Sequence, residues 1–520
     1  MPDSPAKLDL GLLDLRGVAM LARLLAAMVR PGDFLLLSGG IGAGKTAFAR
    51  ALIRALAGDD TLEVPSPAFA LHQRYLTTRL PVSHFDFYRL ESPREAQELG
   101  LDELKATDLI IAEWPERGGL VAAGDAAELV FLETADETVR QVLAVAHGRF
   151  ARGLPRLPAM MRLLRLSGWG EAMVEPFPGD ASVRIYYRLR AGHGTALLMD
   201  WPRQPDGPPI RHGKPYSQIA HLAEGVAPFV AIAAALREAG LATPRLLAGD
   251  LEAGLLLIED FGDAVFASLA AKGEDMRPLY AVAIDALIAV RRAEPPAHIR
   301  ADGAEHDLPP YDGEALAIET ELLLDWYLPF ATGAALPPEA RASFMQAWRE
   351  QFDWLLGLAE RAWVLRDFHS PNLIWRGSET GLARLGVIDF QDALIGHSAY
   401  DLVSLLKDAR IDLPAGLEAA LFEDYCRKAA ALDARFDRAC FERAYALLGA
   451  QRNTKILGIF ARLAMRDGKR AYLAHLPRVA RHLARSLEHP SLAALKSWYG
   501  EHVPGLIESP AQTVAEEAAS

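Results

Sequence analysis

The chain has 520 residues, more than one core ordinarily holds, since single domains mostly run to about 50–250 residues, and two or three domains are expected. Its composition, 51% hydrophobic and 24% charged, supplies ample apolar material for packed cores and excludes a largely disordered chain; the two cysteines, Cys426 and Cys440, lack metal-ligand spacing, which excludes a disulfide framework and a zinc site. A formal net charge of -13 argues against nonspecific attraction to nucleic acid, because phosphate neutralisation by Lys and Arg drives such binding.

The first residues lack a positive region followed by an apolar core, and no run approaches the ~18 apolar residues of a membrane span. Neither export nor membrane anchoring is expected, and the cytoplasm is the expected compartment. Residues 33–37 (DFLLL) read as a short strand, GGIGAGKT (Gly39 to Thr46) as a nucleotide-binding P-loop, and Ala47 to Leu56 as the helix behind it. Gly39, Gly42, Ala43 and Gly44 let backbone N–H groups close around phosphates without intervening side chains. Lys45 would place positive charge on the β and γ phosphates of ATP, and Thr46 would offer its hydroxyl to Mg2+. Further strands are expected at Pro81 to Phe85, Leu109 to Ala112, Glu128 to Leu132 and Gln141 to Ala146, which makes an α/β sheet. Asp86 ends one strand, where a second magnesium-shell carboxylate belongs. Glu113 follows another, suited to orienting an attacking water; each acid, taken singly, also reads as an ordinary strand-end residue.

VPSPAF (Val64 to Phe69), HFDFYRL (His84 to Leu90) and EWPER (Glu113 to Arg117), together with the P-loop, resemble the ATPase subunit of the bacterial tRNA threonylcarbamoyladenosine system over nearly all of residues 10–147. The resemblance implies ATP and magnesium binding, hydrolysis in the service of adenosine 37 modification, and partner proteins of that system. It gives Lys45 a phosphate role, Thr46 and Asp86 magnesium roles and Glu113 a catalytic one. Two departures stand out: Ala68 where a threonine is usual, and Gly40 where an acid is usual. The first leaves open that this domain is a nucleotide-dependent binding or regulatory module.

GRFARGLPRLPA, basic and interrupted by Pro155 and Pro158, reads as a hinge, so a linker is expected at residues 151–160 between domains at 1–150 and 161–505, with a disordered tail at 506–520. A helix near Met160 and two strands, Val183 to Leu189 and Ala196 to Met199, should open the second domain. Between helix and strands, Gly179, Asp180 and Ser182 lie in a polar turn that either folds over nucleotide phosphates or simply closes a hairpin. After the strand Leu255 to Ile258 and the helix Met276 to Arg292 comes RDFHSPN (Arg366 to Asn372). Its Asp-x-x-x-x-Asn spacing places Asp367 as the base for an acceptor hydroxyl and Asn372 as a metal ligand; Asp389, ending the run Leu385 to Phe390, is the second metal ligand. Helices should fill the remainder to about Ser497.

GDASVRIYYRL, LLMDWP, LLLIEDFGD, LRDFHSPNLIW, VIDFQDAL, AYDLVSLLKDAR and QRNTKILGIFARL resemble the aminoglycoside-phosphotransferase-like kinases, and within them the anomeric kinases of N-acetylmuramate and N-acetylglucosamine, across roughly residues 160–485. The resemblance implies an α+β, bilobed, protein-kinase-like domain that phosphorylates the C1 hydroxyl of an amino sugar in cell-wall recycling, with Glu259 and Phe261 in the hinge beside adenine. An aminoglycoside, choline or an amino acid is the alternative acceptor. LLMDWP has no strand lysine, so Arg184, Arg188 or a backbone donor must substitute; Leu365 replaces a common histidine, so the loop is braced differently, and His369 is assigned to packing. Gln451 to Ile456 should start a helix whose polar face meets either ligand or solvent.

Overall fold

The computed structural model describes residues 6–177 and 184–508. It divides into two compact units, one made of Met1–Pro202 with Leu246–Asp260 and the other of Arg203–Arg245 with Phe261–Ser520. Among the described residues, no helix is long and apolar enough to cross a membrane.

The first unit begins with β1 (Ala6–Leu13), α1 (Leu15–Met28), β2 (Phe34–Gly39) and α2 (Lys45–Ala57), followed by β3 (His72–Leu76), β4 (Pro81–Asp86), β5 (Leu109–Glu113), β6 (Ala126–Glu133) and β7 (Arg140–Ala146). The seven strands lie in the order β1-β7-β6-β2-β5-β4-β3. The centre, β6-β2-β5-β4, is parallel, and the flanking strands are antiparallel. Strands covered on both faces need continuous apolar runs, and LIIA of β5 and LLL of β2 are buried throughout. The sheet therefore puts the loop after β2, Asp86 at the end of β4 and Glu113 at the end of β5 on one carboxyl-terminal edge, where open α/β sheets bind ligands.

The same unit contains a five-stranded antiparallel sheet in the order Leu246–Asp250, Leu255–Glu259, Gly194–Asp200, Ile185–Ala191, Met173–Phe177. One hydrophobic core joins it to the P-loop sheet, running from Leu21, Leu24 and Leu25 of α1 through Phe150, Leu154, Leu157 and Met160 to Trp169, Leu189, Leu198 and Leu257. The stretch expected as a hinge is thus helical, as Phe150–Gly153, Leu154–Arg156 and Leu157–Leu166, and its apolar side chains are buried. Both features that suggested a hinge have structural roles. Pro155 and Pro158 occupy the first turn of their segments, where no N–H is required. The arginines are neutralised: Arg149 pairs with Asp33, and Arg156 donates to Asp200 at 2.9 and 2.6 Å. The division between compact units accordingly falls at 202/203, 245/246 and 260/261, away from residues 151–160.

The second unit is mainly helical, organised around the 30-residue helix Arg438–Asp467. Gln451 to Ile456 lies in the middle of that helix, and Gln451, Arg452, Asn453, Thr454 and Lys455 are buried, so the solvated-face reading of this stretch does not hold. Two short ladders, Ala362–Val364 with Leu394–Gly396 and Leu373–Trp375 with Leu385–Val387, clamp the loops that carry Asp367 and Asp389. Near the end, Pro504–Glu508 is helical with Leu506 buried, inside the expected tail; residues 509–520, like the expected Gly179, Asp180 and Ser182 turn, lie outside the described residues.

The shared core makes a stability prediction. Met20 is 6% exposed on α1, and its methyl group lies beside Gly170. Met20→Ala should lower stability by about 2–5 kcal/mol, read as an earlier urea midpoint for the antiparallel sheet as well as for the P-loop sheet.

Candidate active sites

In the first unit the loop after β2 turns left-handed at Gly42 (φ +77°) and Gly44 (φ +106°), with open space where a Cβ would stand, so backbone conformation and not crowding requires glycine there. Lys45 Nζ donates to the carbonyls of Gly39 (2.8 Å) and Gly40 (2.7 Å) and sits 3.9 Å from the centroid of the Trp114 indole. Burial lowers the Lys45 pKa, opposed by Glu113, Asp86 and Glu116. Trp114 itself holds a left-handed backbone (φ +56°), an uncommon conformation for a bulky residue.

Glu113 is 2% exposed, not a surface acid. Its Oε2 accepts from Thr46 Oγ1 at 2.9 Å, and its Oε1 lies 3.0 Å from His84 Nε2. Asp86 is its direct neighbour in the β4–β5 register and accepts from Ser66 Oγ at 2.7 Å and from the Tyr88 N–H at 3.0 Å. The structure thus gathers Lys45, Thr46, Asp86 and Glu113 at one edge. It adds Ser66, His84 and Trp114, which lie inside the sequence blocks already quoted but whose contacts only the strand register creates. A hydroxyl and carboxylates are hard oxygen donors, suited to a magnesium ion that keeps waters and phosphate oxygens as its remaining ligands.

In the second unit Asn372 Nδ2 donates to Asp389 Oδ2 (3.3 Å) and to the Asp367 carbonyl (3.1 Å), and Gln391 Nε2 donates to Asp389 Oδ1 (3.0 Å). Asp367, Asn372 and Asp389 therefore converge. Asn372 and Asp389 offer oxygens of the same hard type, and Asp367 stands beside them as an acceptor. Arg366 (φ +73°) and Asp389 (φ +62°) are left-handed non-glycine residues, one at each of the two loops. Burial alone would raise the Asp367 pKa, but the neighbouring His369 ring and the charge of Arg452 outweigh it and hold the carboxyl well below its usual range. Arg452 Nη2 donates to Asp367 Oδ1 at 3.4 Å, and His369 Nε2 lies 3.6 Å from the same oxygen. His369 is packed, as expected, and also faces Asp367.

Three braces were not legible beforehand. Asp401, 2% exposed, accepts the N–H groups of Leu365 (2.6 Å) and Arg366 (2.9 Å), the role left open by Leu365. Asp408 accepts the Ser370 N–H at 2.8 Å. Glu319, fully buried, accepts from Lys455 (2.8 Å), Gln451 (2.9 Å), Tyr311 and Arg366; burial opposes its ionisation, and Arg366 and Lys455 hold its pKa down to about 2. The available signal for Asp401 and Asp408 was an aspartate within or just after the apolar helical run AYDLVSLL; Glu319 had none.

Of the remaining expected residues, Glu259 ends its strand opposite Ala196, and Phe261 stacks under Arg376 at 4.3 Å. Arg188 pairs with Asp260 at 2.9 Å and lies over Phe177, whereas Arg184 lies over Trp201.

Residues 14–142 match the family described as "Threonylcarbamoyl adenosine biosynthesis protein TsaE", and residues 173–440 match the "Phosphotransferase enzyme family". The chain is 38% identical over 359 residues to the N-acetylmuramate/N-acetylglucosamine kinase of Caulobacter vibrioides, covering 67% of this chain and 97% of that protein. Its similarity to the Pseudomonas aeruginosa kinase of the same name is 35% over 339 residues, 63% of this chain and 89% of that protein. The first domain is 46% identical over 96 residues to the tRNA threonylcarbamoyladenosine biosynthesis protein TsaE of Rickettsia felis, covering 18% of this chain and 56% of that relative.

Burial pushes Asp401 up to about 7 despite its two N–H donors. The folded state then keeps a proton that the unfolded carboxyl loses near pH 3.8, so this contribution to stability is full below that pH and is lost as pH rises through about 7. Asp401→Asn should remove that slope from urea unfolding measured between the two values. At higher pH the amide, with one acceptor for two N–H groups, should cost about 1–3 kcal/mol.

Proposed function

The chain belongs to the phosphotransferase enzyme family, and on that premise we propose that it is a bifunctional cytoplasmic protein. Residues 161–505 phosphorylate the C1 hydroxyl of N-acetylmuramate and N-acetylglucosamine with ATP. Residues 1–150 hydrolyse ATP for tRNA threonylcarbamoyladenosine modification, acting with the other proteins of that system. The observation that carries the kinase reading is the convergence of Asp367, Asn372 and Asp389. The names of the relatives supply the acceptor class.

In this reading Asp367, ionised because Arg452 and His369 keep its pKa low, accepts the hydrogen bond of the C1 hydroxyl and aims its oxygen at the γ-phosphorus. The bond from C1 oxygen to phosphorus forms as the bond from phosphorus to the ADP oxygen breaks, and the hydroxyl proton passes to Asp367. Magnesium, held by Asn372 and Asp389, would neutralise phosphate charge. In the first domain Lys45 meets the phosphates, Thr46 and Asp86 would hold magnesium, and Glu113, fixed by Thr46 and His84, orients water. Ala68 has no hydroxyl to offer a nucleotide, but Ser66, two residues earlier, bonds to Asp86.

Phosphorus NMR of mixtures of the protein, ATP, magnesium and each sugar should reveal an anomeric sugar phosphate. Absence of product from both N-acetyl sugars, with turnover of choline or an aminoglycoside instead, would replace the acceptor. Asp367→Asn should lower sugar phosphorylation by about 10²–10⁴-fold while ATP binding at the P-loop persists. Lys45→Ala should do the converse, measured by nucleotide titration of the same two variants; loss of both activities in either variant would contradict independent sites.

A further inference from the structure

The block HFDFYRL alternates between the two faces of the P-loop sheet. Phe85 and Phe87 are buried in one apolar cluster, whereas His84 and Asp86 share the other face with Val82 and Ile111. The β4–β5 register sets His84 opposite Ile111 and Asp86 opposite Glu113, so His84 and Glu113 are diagonal neighbours on one face. That diagonal is closed by a contact: His84 Nε2 lies 3.0 Å from Glu113 Oε1, with the histidine side chain 0% and the carboxylate 2% exposed. The other ring nitrogen, Nδ1, is buried and has no hydrogen-bond partner among the described residues.

A carboxylate accepts hydrogen bonds, so Nε2 carries the proton and donates it to Glu113. A ring kept only to fill the core would gain nothing from a polar atom buried without a partner, which costs free energy that an apolar side chain of similar size avoids. The bond to Glu113 is what the ring is there to make. Glu113 has a second donor on its other oxygen, the Thr46 hydroxyl at 2.9 Å. The terminal torsion of a glutamate is a broad, two-fold rotor, and a donor on each oxygen removes that freedom. Thr46 stands at the start of the helix behind the loop that a nucleotide enters, but His84 stands on a strand inside the parallel part of the sheet, so its hold on the carboxylate comes from the rigid scaffold.

We propose that His84 is a positioning residue for ATP hydrolysis: its Nε2–H fixes the plane of the Glu113 carboxylate and so the direction in which Glu113 receives the attacking water. This rests on the hydrolysis reading of the first domain. An ionised carboxylate has about four acceptor directions; Thr46 and His84 fill two, and the rest serve the water. Without the ring the carboxylate turns about a single remaining bond, and the water loses its aim. Lys45, Thr46 and Asp86 do not depend on that bond, so the loss falls on turnover and not on nucleotide affinity. The unpartnered Nδ1 also decides which replacement works. A glutamine places its amide nitrogen where Nε2 stands, but an asparagine reaches only the position of Nδ1, where the structure offers nothing to bind.

The test is steady-state phosphate release from ATP and magnesium by the full-length protein with the other proteins of the tRNA-modification system, every version also carrying Asp367→Asn to silence the kinase. His84→Leu and His84→Asn should lower kcat by about tenfold to a hundredfold, with KM for ATP within about twofold. His84→Gln should recover most of the loss. Nitrogen NMR of histidine-labelled protein without nucleotide or magnesium supplies a readout apart from turnover: one Nε2–H signal should shift on Glu113→Gln and vanish in His84→Leu. Undiminished kcat in His84→Leu, equal rates for the Asn and Gln variants, kcat and ATP affinity falling in step, or no ring signal responding to Glu113→Gln would each overturn the assignment while leaving the hydrolysis reading in place. A first site that releases no phosphate with His84 intact would remove that reading and this inference together.

Discussion

A carboxylate can leave water only if cations or hydrogen-bond donors go with it, and both sites are organised around acids buried under that condition. In the first unit Glu113 is enclosed by Thr46 and His84, which ties the start of the helix behind the P-loop to the ends of two parallel strands. In the second, Glu319 gathers Arg366, Lys455, Gln451 and Tyr311, so that the central helix, the Arg366 loop and the helix Gly313–Leu322 meet at one buried charge. Removing one partner of such a set leaves an uncompensated ion at a cost of about 3–5 kcal/mol. Glu319 thereby fastens the loop on which Asp367 stands, through Arg366.

The same constraint accounts for the backbone. Arg366 and Asp389 hold left-handed conformations that side-chain-bearing residues disfavour, and each is tied by contacts that override the preference: Asp401 takes the Arg366 N–H, and Asn372 and Gln391 grip the Asp389 carboxylate. In the first unit glycine meets the equivalent demand at Gly42 and Gly44, because no side chain there has a partner that would offset the strain. One core runs beneath the P-loop sheet and the antiparallel sheet, so the P-loop domain contributes α1 to the support of a sheet that belongs, by sequence, to the kinase.

Legibility followed the range of the interaction. The strand–loop–helix of the P-loop, the acids at the ends of β4 and β5, and the spacing of Asp367, Asn372 and Asp389 could all be read, because each need is met within a few residues or by a fixed offset. The helical segments Phe150–Gly153 and Leu154–Arg156 were obscured. Arginine and proline imitate a hinge unless Asp33 and Asp200 are known to be waiting for the arginines. Gln451 to Ile456 read as the start of a helix whose polar face meets either ligand or solvent, because the acids that pair with Gln451, Arg452 and Lys455, namely Glu319 and Asp367, lie more than eighty residues away in sequence.

The sequence by itself determined that two phosphate-handling devices exist, what residue types they use and the sheet and helix class of each, since glycine conformations, apolar periodicity and motif spacing are local properties. Tertiary structure alone decided which charges are consumed and which remain. Arg452 and Lys455 resemble Arg462 in the sequence, yet the first two are neutralised by carboxylates brought from distant segments and the third is not. Pairing depends on distance in space, and the order of residues along a chain does not record it.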